Sequence, residues 1–109
     1  MVDLDGVLND YTKEKFDKNF IPPIKKGAKE FLKELSKTAR LYLFTTRNLL
    51  LVSKWLIDNK IDKYFENITN TKTPASIYID DRAICFNGDF KQTILDVEEF
   101  QVYWDKENK

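Results

Sequence analysis

The sequence predicts an α/β fold, in which a parallel sheet carries helices on both faces. Residues 41–45 (LYLFT) and 76–79 (SIYI) form apolar runs that are typical of strands buried on both faces. Apolar residues at helical spacing follow or precede these runs, and strands alternate with helices as in βαβ units. With 109 residues, 42% of them hydrophobic, we expect one domain over residues 1–109 with its own core.

The first predicted element is a strand in the opening stretch MVDLDGVL, which ends on Asp3 and Asp5. Only Met1 and Val2 precede Asp3, so this strand is short for the centre of a sheet. We expect either that the natural start lies upstream or that the strand begins at the chain terminus and the domain is less stable.

A loop is predicted over residues 9–20, with or without a short helix, because the stretch is polar and two prolines follow it. It either folds onto the core or forms a small lid. From Ile24 onwards the spacing predicts an amphipathic helix, in which Gly27 weakens the helix without ending it. Its apolar positions are Ile24, Ala28, Phe31, Leu32 and Leu35.

The middle of the chain predicts a strand over residues 41–45, a helix over residues 49–59 and a short strand over residues 65–68. Asn48 precedes the helix and is suited to cap it. Arg47 and Asn48 end the strand.

The last third predicts a strand over residues 76–79 that ends on Asp80 and Asp81. Residues 83–86 are apolar, and we expect Cys85 there to be an inert thiol in the core. The Asn-Gly-Asp turn at residues 87–89 then leads into a C-terminal helix. Its predicted inward-facing residues are Ile94, Val97, Phe100 and Trp104.

Composition excludes several classes of function. The 18 basic and 18 acidic residues cancel, so nucleic acid is not indicated as a partner. There is no histidine, which removes imidazole chemistry and leaves acid–base work to carboxylates. One cysteine excludes an intrachain disulfide, and no apolar run is long enough to span a membrane, so we expect a cytoplasmic protein.

Polar side chains follow the predicted strands at their carboxyl ends, where parallel sheets bind ligands. Adjacent carboxylates such as Asp80 and Asp81 repel each other unless a cation compensates, and Mg²⁺ is the natural partner. Each motif alone has a simpler interpretation. The Asp-x-Asp-Gly stretch is compatible with a strand end, Thr45-Thr46 with a helix cap, and Lys72 with solvated surface.

Four motifs in order resemble the haloacid dehalogenase (HAD) superfamily of phosphotransferases. They are DLDGVL with Asp3 and Asp5, Thr45 at the end of LYLFT, Lys72, and Asp80-Asp81. The segment TKTPASIYIDDRAICFNGDF is similar to a K-P-x-A-x-x-Y-I-D-D-R-A pattern of small HAD phosphatases, although Thr73 follows Lys72 and the proline comes one residue later. The resemblance implies a Rossmann-like, HAD-type sheet.

The resemblance also implies catalytic roles. Asp3 would be the nucleophile that forms an aspartyl-phosphate, and Asp5 the acid and base for the leaving alcohol and the attacking water. Thr45 would hydrogen-bond a phosphoryl oxygen, and Lys72 would screen Asp3 from the substrate. The implied Mg²⁺ ligands are Asp3, Asp5 (through its backbone carbonyl), Asp80 and Asp81, the last of which ligates the ion or orients a water.

The residues beside these motifs have open roles. Thr46, Arg47 and Asn48 lie at the mouth of the site and are candidates for substrate binding, whereas Arg82 is expected to be a structural ion-pair partner.

The function predicted is therefore a Mg²⁺-dependent phosphomonoester hydrolase. The stretches between the motifs are too short for a cap domain, so the site should be open to a small or bulky phosphorylated substrate, unless a neighbour in a homo-oligomer covers it. One alternative is a non-catalytic domain of the same fold that binds Mg²⁺ or a phosphorylated ligand without turnover. A receiver-like domain is a third hypothesis.

Overall fold

A computed structural model of the protein describes residues 1–13 and 16–105. The sheet has three parallel strands in the order β1-β2-β3. This confirms an α/β fold and is compatible with a Rossmann-like arrangement. The elements are β1 (Val2–Asp3), α1 (Ala28–Leu35), β2 (Leu41–Phe44), α2 (Leu49–Asp58), a 3-10 helix (Asp62–Tyr64), β3 (Phe65–Thr69) and α3 (Phe90–Glu99).

Strand β1 pairs on both of its sides although it is only two residues long. Val2 pairs with Leu43 of β2 on one side and forms a parallel bridge with Ile79 on the other. The Asp3 N–H donates to the Ile79 carbonyl at 2.9 Å, and the Ile79 N–H donates to the Met1 carbonyl at 2.9 Å. The strand predicted over residues 76–79 is thus reduced to one bridge, because β1 offers so little backbone for pairing.

The core lies on one face of the sheet. Leu41 and Leu43 point into it, whereas Tyr42 and Phe44 point to the opposite face and are only half-buried. Both α1 and α2 contribute to this same core, as right-handed crossovers in a 1-2-3 strand order require. The prediction of helices on both faces is therefore wrong for α1 and α2. The core residues are Val2, Leu4, Leu8, Ile21, Ala28, Leu32, Leu41, Leu43, Val52, Leu56 and Ile61.

Helix α1 begins at Ala28 rather than at Ile24, so the prediction that the helix passes through Gly27 is wrong. Gly27 has a φ of 89°, a left-handed conformation that no α-helix contains and that glycine adopts without strain. Ile24 instead forms an antiparallel bridge with Asn9. In α2 the predicted cap is confirmed, since Asn48 Oδ1 accepts from the N–H groups of Leu50 and Leu51.

The loop over residues 9–20 folds partly onto the core. Tyr11 is buried, whereas Phe16 and Phe20 are exposed. Residues 14 and 15 of this predicted loop lie outside the described residues.

The last third of the chain departs most from expectation. Residues 83–86 form no strand, and Cys85 is exposed, so its predicted place in the core is wrong. Helix α3 forms and is capped by Asp89, but none of its residues is buried. The inward-facing pattern predicted for Ile94, Val97 and Phe100 is therefore wrong as well, because all three are exposed. No helix among the described residues is long and apolar enough to cross a membrane.

Candidate metal centre

Three carboxylates converge at the carboxyl end of the sheet. Asp3, Asp80 and Asp81 each offer an oxygen within 4.8 Å of the other two. They meet because β1 pairs directly with Ile79, so that Asp3 and Asp80 leave neighbouring segments at the same edge. The carboxylate of Asp5 is not part of this group, and the ligand predicted at Asp5 is its backbone carbonyl.

Burial and charge repulsion together determine the electrostatics of the group. Burial, together with the charges of Asp80 and Asp81, raises the pKa of Asp3 to about 7. Burial alone would raise the pKa of Asp80 too, but the Arg82 N–H and the Lys72 ammonium outweigh it and hold that pKa below its ordinary value. Lys72 Nζ lies 3.3 Å from Asp80 Oδ2. A bound cation would therefore stabilise the charged form of the Asp3 carboxylate.

Asp81 is held by a residue that sequence reasoning assigned to a helix face. Trp104 Nε1 donates to Asp81 Oδ2 at 2.6 Å, and its ring stacks on Tyr11 with centroids 5.3 Å apart. The Tyr103 hydroxyl donates to the Gly6 carbonyl and ties the same segment to the loop after β1. No periodicity in the sequence indicates this contact.

The second oxygen of Asp81 is buried and has no hydrogen-bond partner among the described residues. A buried carboxylate oxygen without a donor is costly, so a bound group that contacts this atom would stabilise the site. A metal ion shared with Asp3 and Asp80 would provide that contact, since carboxylate oxygens are preferred ligands of hard divalent cations.

Gly6 makes room for this arrangement. Its φ is +83°, and a Cβ atom there would collide with Asp81 Oδ2 and lie 3.1 Å from Trp104 Nε1. The glycine of the Asp-x-Asp-Gly stretch therefore has two roles: it adopts the left-handed backbone conformation without strain, and it leaves space for the Asp81 carboxylate.

Asp5 is bound by a buried arginine. Arg47, whose exposed fraction is 4%, places Nε 2.9 and 3.1 Å from the two Asp5 oxygens. Asn9 Nδ2 also donates to Asp5 Oδ1 at 3.0 Å. The structural ion-pair partner is thus Arg47, which sequence analysis assigned to substrate binding. The ion pair predicted for Arg82 is wrong, because its side chain is exposed and forms no ion pair with another described residue.

An open cleft of about 400 Å³ lies over the carboxylates. Its lining residues are Asp3, Asp5, Phe44, Thr46, Asp80 and Arg82. Thr46 thus faces the cleft, whereas Thr45 is buried and its hydroxyl oxygen accepts from the Arg47 N–H at 3.1 Å. Of the three predicted substrate-binding residues, Thr46 lines the cleft, Arg47 binds Asp5 and Asn48 caps α2.

A larger cavity, of about 520 Å³, lies at the opposite end of β1 and β2, beside Met1 and Leu41. It is lined mainly by apolar side chains and has no carboxylate. It therefore has no connection with the acidic group.

Comparison with protein-family models, curated proteins and solved structures found no match for the chain.

Proposed function

We propose that the chain is a Mg²⁺-dependent phosphomonoester hydrolase of the HAD type, with a single uncapped domain and Asp3 as its nucleophile. The observation that carries this proposal is the group of Asp3, Asp80 and Asp81, whose ligand oxygens lie within 4.8 Å of one another. The buried Asp81 oxygen without a hydrogen-bond partner among the described residues supports it, because a bound cation would satisfy that atom. The resemblance of the four motifs supplies the reaction class.

Charge balance supports a phosphorylated substrate once a divalent cation is bound. Arg47 neutralises Asp5, and Lys72 offsets one charge of the three-carboxylate group. A divalent cation would then cancel the remaining two charges, and it would polarise a phosphoryl oxygen. Arg82 lines the cleft and adds a positive group that favours a phosphate dianion.

The proposed reaction has two steps. In the first, an Asp3 carboxylate oxygen forms a bond to phosphorus while the ester P–O bond breaks and the alcohol leaves with a proton from Asp5. In the second, a water attacks the aspartyl-phosphate and gives a proton to Asp5, which releases phosphate and regenerates Asp3. Thr46, on the cleft wall, would donate a hydrogen bond to a phosphoryl oxygen.

One contact favours the second candidate, a domain that binds Mg²⁺ or a phosphorylated ligand without turnover. An acid–base residue must deliver and accept a proton, whereas both Asp5 oxygens accept from Arg47 Nε. Turnover therefore requires the Asp5 carboxyl to turn away from Arg47 when substrate binds. A pure binding domain has no such requirement.

The test is hydrolysis of a generic aryl phosphate with Mg²⁺, with EDTA, and by the Asp3→Asn variant. We expect turnover that EDTA abolishes and that falls at least a thousandfold in Asp3→Asn, because the nucleophile is removed. Asp58→Asn, an exposed carboxylate at the end of α2, is the matched control and should retain activity.

Mg²⁺ binding is measured separately, by thermal unfolding. At about a hundred times its dissociation constant, Mg²⁺ should stabilise the fold by about 2.7 kcal/mol. Stabilisation without turnover would favour the binding domain. The absence of both stabilisation and turnover would contradict both candidates.

A further inference from the structure

Helix α3 presents an apolar stripe to solvent. Phe90, Ile94 and Val97 follow one another at helical spacing, and their exposed fractions are 77%, 58% and 60%. Phe86 contacts Phe90 with tilted rings whose centroids are 5.3 Å apart, and it extends the stripe beyond the start of the helix. Few surfaces of a monomeric domain expose so many neighbouring apolar side chains without a partner.

The helix is also too short to be stable by itself. It has ten residues, none of them buried. Isolated helices shorter than about 12–15 residues are marginal in water, and most helical stability in proteins comes from packing an apolar face. The Asp89 cap and the Gln92–Asp96 side-chain hydrogen bond add only local support. A surface that covers the stripe would therefore stabilise the helix.

We propose that α3 pairs antiparallel with α3 of a second copy of this chain. The charges beside the stripe are self-complementary in that orientation. Lys91 and Glu98 are seven residues, or two turns, apart, so they lie on the same flank of the stripe. Neither forms an ion pair with another described residue.

Two-fold symmetry doubles this complementarity. In an antiparallel pair, Lys91 lies opposite the partner's Glu98, and Glu98 lies opposite the partner's Lys91. The same register packs Ile94 against the partner's Val97 at the centre. A parallel pair would bring like-numbered residues to the same level and lose both ion pairs.

The expected dimer is weak. Stable interfaces bury roughly 1,200–2,000 Å² in total, and two ten-residue helices reach less than this unless the flanking aromatic residues contribute. Association should therefore depend on concentration over the micromolar range. This inference does not depend on the proposed enzymatic function, because α3 contributes no residue to the acidic group.

The experiment measures the dimer dissociation constant by sedimentation over a range of protein concentrations. Lys91→Glu and Glu98→Lys each turn two attractive pairs into two repulsive ones, so each should weaken the dimer about tenfold. The double variant Lys91→Glu/Glu98→Lys restores opposite charges and should recover wild-type affinity. Lys54→Glu, at an exposed position on α2, is the control and should change nothing.

Mixing the two single variants gives the sharpest readout. Lys91→Glu chains carry only acids on the flank and Glu98→Lys chains only lysines, so the mixture should form heterodimers more tightly than either variant forms homodimers. A protein that stays monomeric throughout the concentration range would overturn the proposal. A dimer whose dissociation constant is unchanged in these charge variants would also overturn it, because another surface would then form the interface.

Discussion

The first two-thirds of the molecule and its last third are built differently. Every buried apolar residue lies at or before Ile61, and among the described residues from 62 to 105 none is buried. Yet the last third supplies Lys72, Asp80, Asp81 and Trp104 to the candidate site. The fold is thus stabilised in one region, whereas the site is completed by another region that has no core of its own.

This division implies that the site can open without unfolding the protein. Among the described residues, the last third is attached near the carboxylates by few contacts: the bridge at Ile79, the hydrogen bond from the Met1 ammonium to the Ile77 carbonyl, the Lys72 ammonium over the Phe44 ring, and the contacts of Tyr103 and Trp104. Regions with few buried apolar contacts open locally at low free-energy cost. Metal binding should therefore order the last third more than the sheet.

The largest contrast between the regions is expected for apolar truncations. Leu43→Ala removes a fully buried side chain at the centre of β2 and should lower the free energy of unfolding by about 2–5 kcal/mol. Ile94→Ala in exposed α3 should cost less than about 0.5 kcal/mol. Urea unfolding at submicromolar concentration, below the range of the proposed dimer, measures both, and equal losses would show that α3 packs against a core.

A glycine pair separates backbone strain from damage to the site. Gly6 and Gly27 both have positive φ angles, of 83° and 89°, but a Cβ at Gly27 meets nothing within 4 Å. Alanine at either position should cost about 1–2 kcal/mol for the left-handed backbone. Only Gly6→Ala displaces Asp81, so only this variant should lose the stabilisation by Mg²⁺ in thermal unfolding.

Trp104 tests whether the end of the described chain positions a metal ligand. Trp104→Phe keeps an aromatic ring next to Tyr11 but removes the N–H that holds Asp81 Oδ2. Loss of such a supporting hydrogen bond should weaken Mg²⁺ binding about 10–100-fold. The control is Trp55→Phe in α2, away from the site. Equal Mg²⁺ affinity in wild type and Trp104→Phe would rule out this role.

The last prediction concerns the pH dependence of stability in the absence of metal. The pKa of Asp3 is about 7 in the folded chain against an ordinary value of 3.8, so the folded state holds this proton more tightly than the unfolded state. Stability should then fall as pH rises from about 4 to about 7. Asp3→Asn has no titrating group at this position. The difference in melting temperature between wild type and Asp3→Asn, measured in EDTA across this pH range, therefore isolates the contribution of Asp3 protonation to stability. A difference that does not change with pH would contradict the raised pKa.

Much of the fold and half of the site could be predicted from local pattern. A continuous apolar run indicated β2, apolar residues at helical spacing indicated its neighbouring helices, and Asn48 was recognisable as a cap. Parallel strands end at a common edge, so Asp3 and Asp80 were expected to meet, as they do. The rule concerns backbone direction alone and therefore needs no knowledge of side-chain packing.

Side-chain partners distant in the chain could not be predicted in this way. Arg47 reaches Asp5 across 42 residues, and Trp104 reaches Asp81 across 23 residues. Nothing in the spacing of either pair distinguishes it from many others, because packing selects the pair only after the segments have folded together.

Helix α3 shows the same division between sequence and tertiary structure. The sequence by itself determined that a helix with an apolar stripe follows the turn at residues 87–89, since periodicity of 3.6 residues is a local property, although the predicted stripe extended to Trp104 and the helix ends at Glu99. Only the tertiary structure decided that this stripe faces solvent while Trp104 packs at the site. Periodicity specifies which residues share a face, and the shape of the remaining fold decides what that face meets.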